Sequence, residues 1–173
     1  KDDKKILNIT VEEKPTGEIS AGAGTGTSGG TIAFGVRENN FLGKNISLNT
    51  NLRLTEESVR GEFSIVNPNW NYSNKALITS IESSKIDRMS DYGYETGKTG
   101  FSFGSSWEQY DDVYFSPTIS NFYEKLDTNQ TASDKLKKQE GEYLDTLFRY
   151  SFTIDKRNQR YQTSDGYRSS FSQ

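Results

Sequence analysis

Histidine and cysteine are both missing from the 173 residues. Without them the chain has no imidazole base, no thiolate nucleophile and none of the common zinc-ligand sets. The lack of cysteine leaves the compartment open, because it suits reducing and oxidising surroundings alike. Apolar residues are scarce as well, at 31% with a mean hydropathy of -0.83. No run of 18 apolar residues occurs, so no membrane-spanning helix is expected. Ile, Leu, Val and Phe together lie close to the roughly 20% level at which disorder becomes plausible. An excess of one charge is also lacking: 21 basic residues face 24 acidic ones for a net of -3, so the self-repulsion that usually accompanies disorder is absent. Aromatic residues, in contrast, reach 13%. A wet average with many large rings calls for a fold that separates the two by face.

The apolar residues that are present alternate. From Lys44 onward Ile46, Leu48, Thr50, Leu52 and Leu54 fall on one face, and Asn45, Ser47, Asn49, Asn51 and Arg53 on the other. Val59, Gly61, Phe63 and Ile65 repeat the pattern, as do Thr99, Phe101, Phe103 and Trp107, and then Thr146, Phe148, Tyr150 and Phe152. Eight strands are expected, at 18–28, 30–40, 44–55, 58–67, 74–86, 94–107, 112–125 and 142–156, with a ninth starting near Tyr167. Most are longer than the five or six residues usual in soluble sheets, and match the ~9–11 tilted residues that a bilayer crossing needs. Alternation is poor in 74–86 and 112–125, so the facing of those two strands stays open.

The stretch GAGTGTSGG from Gly22 to Gly30 contains the glycine spacing of a dinucleotide loop. That loop needs a helix behind it, whereas TIAFGVREN follows with Ile32, Phe34 and Val36 in alternation. The glycines therefore belong to a strand and hairpin. The strand EISAGAGTGTS has few side chains to pack against a neighbour and is expected to pair chiefly through its backbone. Easing of sheet curvature is an equally good reason for its glycines on physical grounds alone. DTNQTASDKLKK from Asp127 fails as a calcium loop, with Ala132 where glycine is required and Lys138 where glutamate is. It reads as a solvated loop with one helical turn.

Successive antiparallel turns fall at opposite ends of a meander. One end collects NNFLGKN, NPNWNYSN, WEQYDD and RNQRYQTSDGY, which are expected to be short turns bearing Phe41, Trp70, Tyr72, Trp107, Tyr110 and Tyr161. The other collects LTEES, IDRMSDYGYE and KLDTNQTASDKLKKQEGE, which are more charged and include the longest excursion. Tight turns beside an aromatic girdle, opposite longer loops, are what an outer-membrane barrel displays.

VEEKPTGEISAGAGTGTSGG from Val11 to Gly30, the turn ENNFLGKN, the NPNW turn and DKRNQRYQTSDGYR from Asp155 to Arg168 carry a further likeness. Over essentially its whole length the chain resembles the BamA family, the central barrels of the bacterial outer-membrane protein assembly machine. The resemblance implies an all-β antiparallel meander forming the first half of a transmembrane β-barrel of 16 strands. Residues 1–15 would be the end of the last POTRA domain and its junction, and residues 16–173 the first eight to nine strands. It implies a non-enzymatic insertase in the bacterial outer membrane, without catalytic residues, cofactor or metal. The first strand, through Ile19, Ser20, Ala21, Gly22, Ala23, Gly24 and Thr25, would be the edge on which a client strand pairs. Partners would be unfolded β-barrel proteins as clients, accessory assembly lipoproteins and the lipid bilayer, with no nucleic acid. Competing readings are a TamA-type or two-partner translocator barrel, and a small 8-stranded anchor or pore. The last would close eight strands on themselves.

Overall fold

The computed structural model describes residues 10–26 and 29–173. Nine strands follow one another in a single antiparallel sheet whose spatial order is the sequence order. They are β1 (Gly17–Gly26), β2 (Gly29–Phe41), β3 (Ile46–Thr55), β4 (Ser58–Asn67), β5 (Ala76–Arg88), β6 (Tyr94–Tyr110), β7 (Val113–Thr128), β8 (Gly141–Asp155) and β9 (Arg168–Ser172). A one-turn helix, α1 (Asp134–Lys137), sits in the β7–β8 connection, with Ser133 Oγ accepting from Leu136 N at 3.4 Å. This is the helical turn expected there. β6 and β7 run for 17 and 16 residues, longer than the alternation alone marked out, and β8, at 15, has its expected length.

Cross-strand register sorts every side chain onto one of two faces, since directly paired residues share a face. Ile19, Val36, Thr50, Phe63, Ile81 and Phe101 form one continuous row, and Leu48, Ile65, Thr79, Phe103, Ile119 and Phe148 a second. The opposite face carries Asn51, Glu62 and Glu82 in one row and Asn49, Ser64, Ser80, Ser102 and Ser120 in the next. The facing left open for two strands is thereby settled. β5 turns Leu77, Thr79 and Ile81 to the apolar side, and β7 turns Phe115, Pro117, Ile119 and Tyr123 there.

No second layer covers either face among the described residues. On the apolar side Phe101 and Phe103 are 52% and 51% exposed, whereas Ser120 and Phe122 on the polar side are 8% and 9% exposed. A soluble sheet would show the reverse, with the rings covered and the serines wet. Greater coverage of the polar side is what the inside of a curved sheet gives, and it leaves the apolar side as an outward, unpartnered surface. The polar face is not purely polar: Phe122 lies there under the Lys98 ammonium, 4.1 Å from the ring centroid, and Ile78 and Leu147 share that side.

The apolar band has two borders. At the end reached by the β2–β3, β4–β5, β6–β7 and β8–β9 connections, outward aromatics interlock. Trp107 meets Phe115 edge-on at 5.2 Å, Phe115 stacks on Phe152 at 4.6 Å, and Tyr150 joins Phe152 and Phe171 at 6.1 and 6.4 Å. At the other end the outward face turns charged, with Lys85 paired to Glu95 at 2.9 Å and Lys125 to Asp127 at 2.8 Å. On β7 the span from Phe115 to Tyr123 measures about 26 Å along the strand at ~3.3 Å per residue, the scale of a lipid-facing band once tilt is allowed for. The band also slides along the strands. Outward charge begins at Glu38 on β2, yet the row through Glu38 reaches Phe148 on β8, where the outward face stays apolar as far as Ile154. Strands inclined to the band produce that drift.

One expectation fails. The aromatic end was expected to hold the short turns, yet its connections include 68–75 and 156–167, whereas the other end includes the tight 56–57 link and 89–93 beside the long 129–140 excursion. The two ends differ in chemistry, not in length. At the charged end β5 and β7 run two and three residues past their expected ends, to Arg88 and Thr128, while β6 begins at Tyr94 as expected.

Candidate functional site: the open edge of the sheet

β1 pairs with β2 in unbroken register from Gly17↔Glu38 to Gly26↔Gly29 and has no partner on its other side among the described residues. An 8-stranded closed barrel is excluded as the arrangement of this chain, because β8 pairs with β7 and β9, and β1 with β2 alone. Every residue of β1 is exposed. Ile19, Ala21, Ala23 and Thr25 continue the outward rows, and Ser20, Gly22 and Gly24 the inward ones. The seven residues singled out from sequence thus form one uninterrupted stretch of the edge strand of the sheet.

β1 is held to β2 by little besides backbone. Its inward side contributes one side-chain bond, Ser20 Oγ to the Gly35 carbonyl at 3.5 Å, and its outward side one large apolar residue, Ile19. The glycines mark no tight packing: a Cβ built on Gly22, Gly24 or Gly26 meets nothing within 4 Å. Gly35 and Gly100 differ, since a Cβ on the first would lie 2.7 Å from Ser20 Oγ and on the second would strike the backbone of Asn121 and the Phe122 ring. Gly17 at the start of β1 abuts the Glu38 carboxylate and Gly97 on β6 is open, but Gly35 and Gly100 are required by a neighbour and Gly22, Gly24 and Gly26 are not. Their effect is to strip the edge strand of cross-strand contacts worth roughly 0.2–1 kcal/mol each.

The start of β1 is anchored more firmly. Asn39 donates its backbone N–H and its side-chain Nδ2 to the Thr16 carbonyl, at 3.1 and 3.2 Å. The residues before it, from Thr10, are exposed and belong to no strand or helix. Most of the expected POTRA tail, 1–9, lies outside the described residues, as do Thr27 and Ser28 at the far end of the first expected strand.

The turns that carried the resemblance are built by asparagine. Asn40 Oδ1 accepts from Asn45 N at 2.8 Å while Leu42, Gly43 and Asn45 hold positive φ. Asn69 Oδ1 accepts from Asn74 N at 2.9 Å, closing the NPNW turn. In the last turn Asn158 Oδ1 accepts from the N–H groups of Ser164 and Asp165, and its Nδ2 donates to Ser164 Oγ at 2.8 Å. Gly166, at φ +92°, is packed against the Lys156 carbonyl too closely for a side chain. These sequences are specific because their side chains close the turn.

Comparison with known proteins agrees with this geometry. The profile of the Omp85 superfamily domain matches residues 40–173, beginning at the end of β2 and running through β9. Among solved structures, BamA from Haemophilus ducreyi lacking POTRA domains 1–3 superposes with a TM-score of 0.63 at 22% identity, over 93% of this chain and 34% of that one. The chain therefore spans about a third of that relative, and at this identity the likeness is one of fold. Taken with the outward apolar band and its aromatic border, the match places the chain in the Omp85 superfamily of outer-membrane β-barrel proteins.

Proposed function

We infer that this chain is the strand-accepting part of a bacterial outer-membrane assembly barrel, which folds and inserts other β-barrel proteins without enzymatic chemistry, cofactor or metal. The observation that carries the reading is the open β1 edge, weakly tied to β2 by side chains yet paired along its whole length. An unfolded client strand gains a full set of main-chain hydrogen bonds by adding there, and in a bilayer an unpaired backbone group costs several kcal/mol, so the gain from pairing is large. Residues 1–15 are read as the end of a preceding POTRA domain, which places the aromatic border on the periplasmic side. The partners in this reading are unfolded barrel proteins, accessory assembly lipoproteins and the bilayer.

Replacing Gly22 and Gly24 together with valine in the full-length protein is the test. Both sites have room for the side chain, so the barrel folds, while added cross-strand contacts hold β1 more firmly to β2. Client barrels are expected to fall in abundance in the outer membrane, with the variant itself at its normal level. Unchanged client levels contradict the reading. A translocator sharing the superfamily fold predicts a different loss, that of an exported soluble chain with client barrels unaffected.

A further inference from the structure

The polar face holds a rung of like charge. Arg53 on β3 and Arg60 on β4 stand directly opposite each other, an arrangement that repels. On the next row inward from Asn51, Glu62 and Glu82 are likewise opposed. None of the four forms an ion pair among the described residues. The acidic pair lies beside Arg60, along β4 and diagonally on β5. Arg53 has Asn51 and Thr55 as same-face neighbours on its own strand, Glu62 diagonally across on β4, and Ala33 across from it on β2.

Toward the open edge the row through Arg53 is almost bare. It runs from Arg53 to Ala33 to Gly22, and then ends at the free side of β1. Ser20, Gly22, Ala33, Arg53, Arg60 and Glu62 line one concavity on this face. A strand added to β1 extends the same row, and its inward residue opposite Gly22 lies three strand spacings from Arg53, about 14 Å between Cα atoms. A glutamate and an arginine extended toward each other close that gap, and nothing larger than the Ala33 methyl stands between them. Rows on either side offer no equal: Gly24 leads to Thr31 and Thr55, and Ser20 to Gly35 and Asn51.

We propose that Arg53, backed by Arg60, sets a specificity position at the edge by favouring incoming strands with a carboxylate at the inward residue opposite Gly22. This rests on the edge-pairing reading and adds a chemical preference to it. Strand addition makes the partner an amino-acid side chain, and two guanidiniums with no ion-pair partner select an acid over a base.

The experiment uses the full-length protein in the outer membrane with Ala23 replaced by cysteine and any cysteine beyond these 173 residues, which hold none, replaced by serine. A client barrel stalled in assembly carries one cysteine opposite position 23 and Glu, Gln or Lys at the neighbouring inward site. Disulfide yield is expected to be about twofold higher for Glu than for Lys, the low end of the range for a cross-strand charge pair because this one reaches over two intervening strands, with Gln between. R53Q/R60Q is expected to level the three yields, and R53E/R60E to invert them. Equal yields for the three clients against the native arginines, or a Glu preference that survives R53Q/R60Q, overturn the proposal. If R53E/R60E does not reach the membrane, the client series decides alone. Failure of every client to form the disulfide contradicts edge pairing itself and removes the proposal with it.

Discussion

At the residue scale, exposure of a side chain here depends on which face it occupies more than on its polarity. Phe101 and Ser80 illustrate the rule, because they sit in adjacent rows on neighbouring strands and point to opposite faces. Phe101→Arg places a guanidinium in the middle of the lipid-facing band, where such a charge costs roughly 2–4 kcal/mol. Ser80→Arg places it over the polar interior and is expected to cost less than about 1 kcal/mol. Urea unfolding of the two full-length variants in lipid vesicles measures the difference, and equal losses would contradict the assigned faces. Glycines divide in the same way. Gly100→Val drives methyl groups into Asn121 and Phe122 and is expected to lower stability by 1–3 kcal/mol, in the range of other overpacked sites, whereas Gly22→Val leaves unfolding unchanged or slightly slower.

At the scale of elements, the turns and the edge strand perform separate tasks. The 156–167 connection owes its shape to Asn158, which makes three side-chain hydrogen bonds within it. Asn158→Ala is expected to loosen this turn by about 1–2 kcal/mol and to open it to protease cleavage while the strands stay intact. Cleavage no faster than in the native chain would show that the turn is held by something else. Strand identity was legible in the sequence wherever one face was consistently apolar, as in Ile46 to Leu54 and Phe148 to Phe152. It was not legible in β5 and β7, where Ser83 and Asn121 lie on the outward face and Ile78 and Phe122 on the inward one. There only pairing with β4, β6 and β8 fixes the faces. That β1 pairs chiefly through its backbone was legible from its composition, an 11-residue run of mostly small residues, whereas its place at the edge came from the resemblance. The Arg53–Arg60 rung was not, since residues seven apart in sequence become opposed only through register.

At the scale of the whole molecule, β1 and β9 are the two edges of the sheet among the described residues and do not pair with each other. The chain of residues 1–173 by itself is therefore expected not to close in detergent. It should show no heat-modifiable migration on a gel and no stepwise conductance in planar bilayers, and either signal would contradict the open arrangement. The larger claim is that the sheet turns its apolar rows to lipid and its polar rows to an aqueous interior, the arrangement from which the edge, the aromatic border and the charged border all take their meaning. Single-cysteine variants at each position from Ser47 to Leu52 on β3, made in the full-length protein in native membranes, test it most directly. The account predicts strict alternation: cysteines at 48, 50 and 52 react with a lipid-soluble maleimide and resist a charged one, and those at 47, 49 and 51 do the opposite. Uniform labelling along the strand, or alternation in the opposite phase, would contradict it.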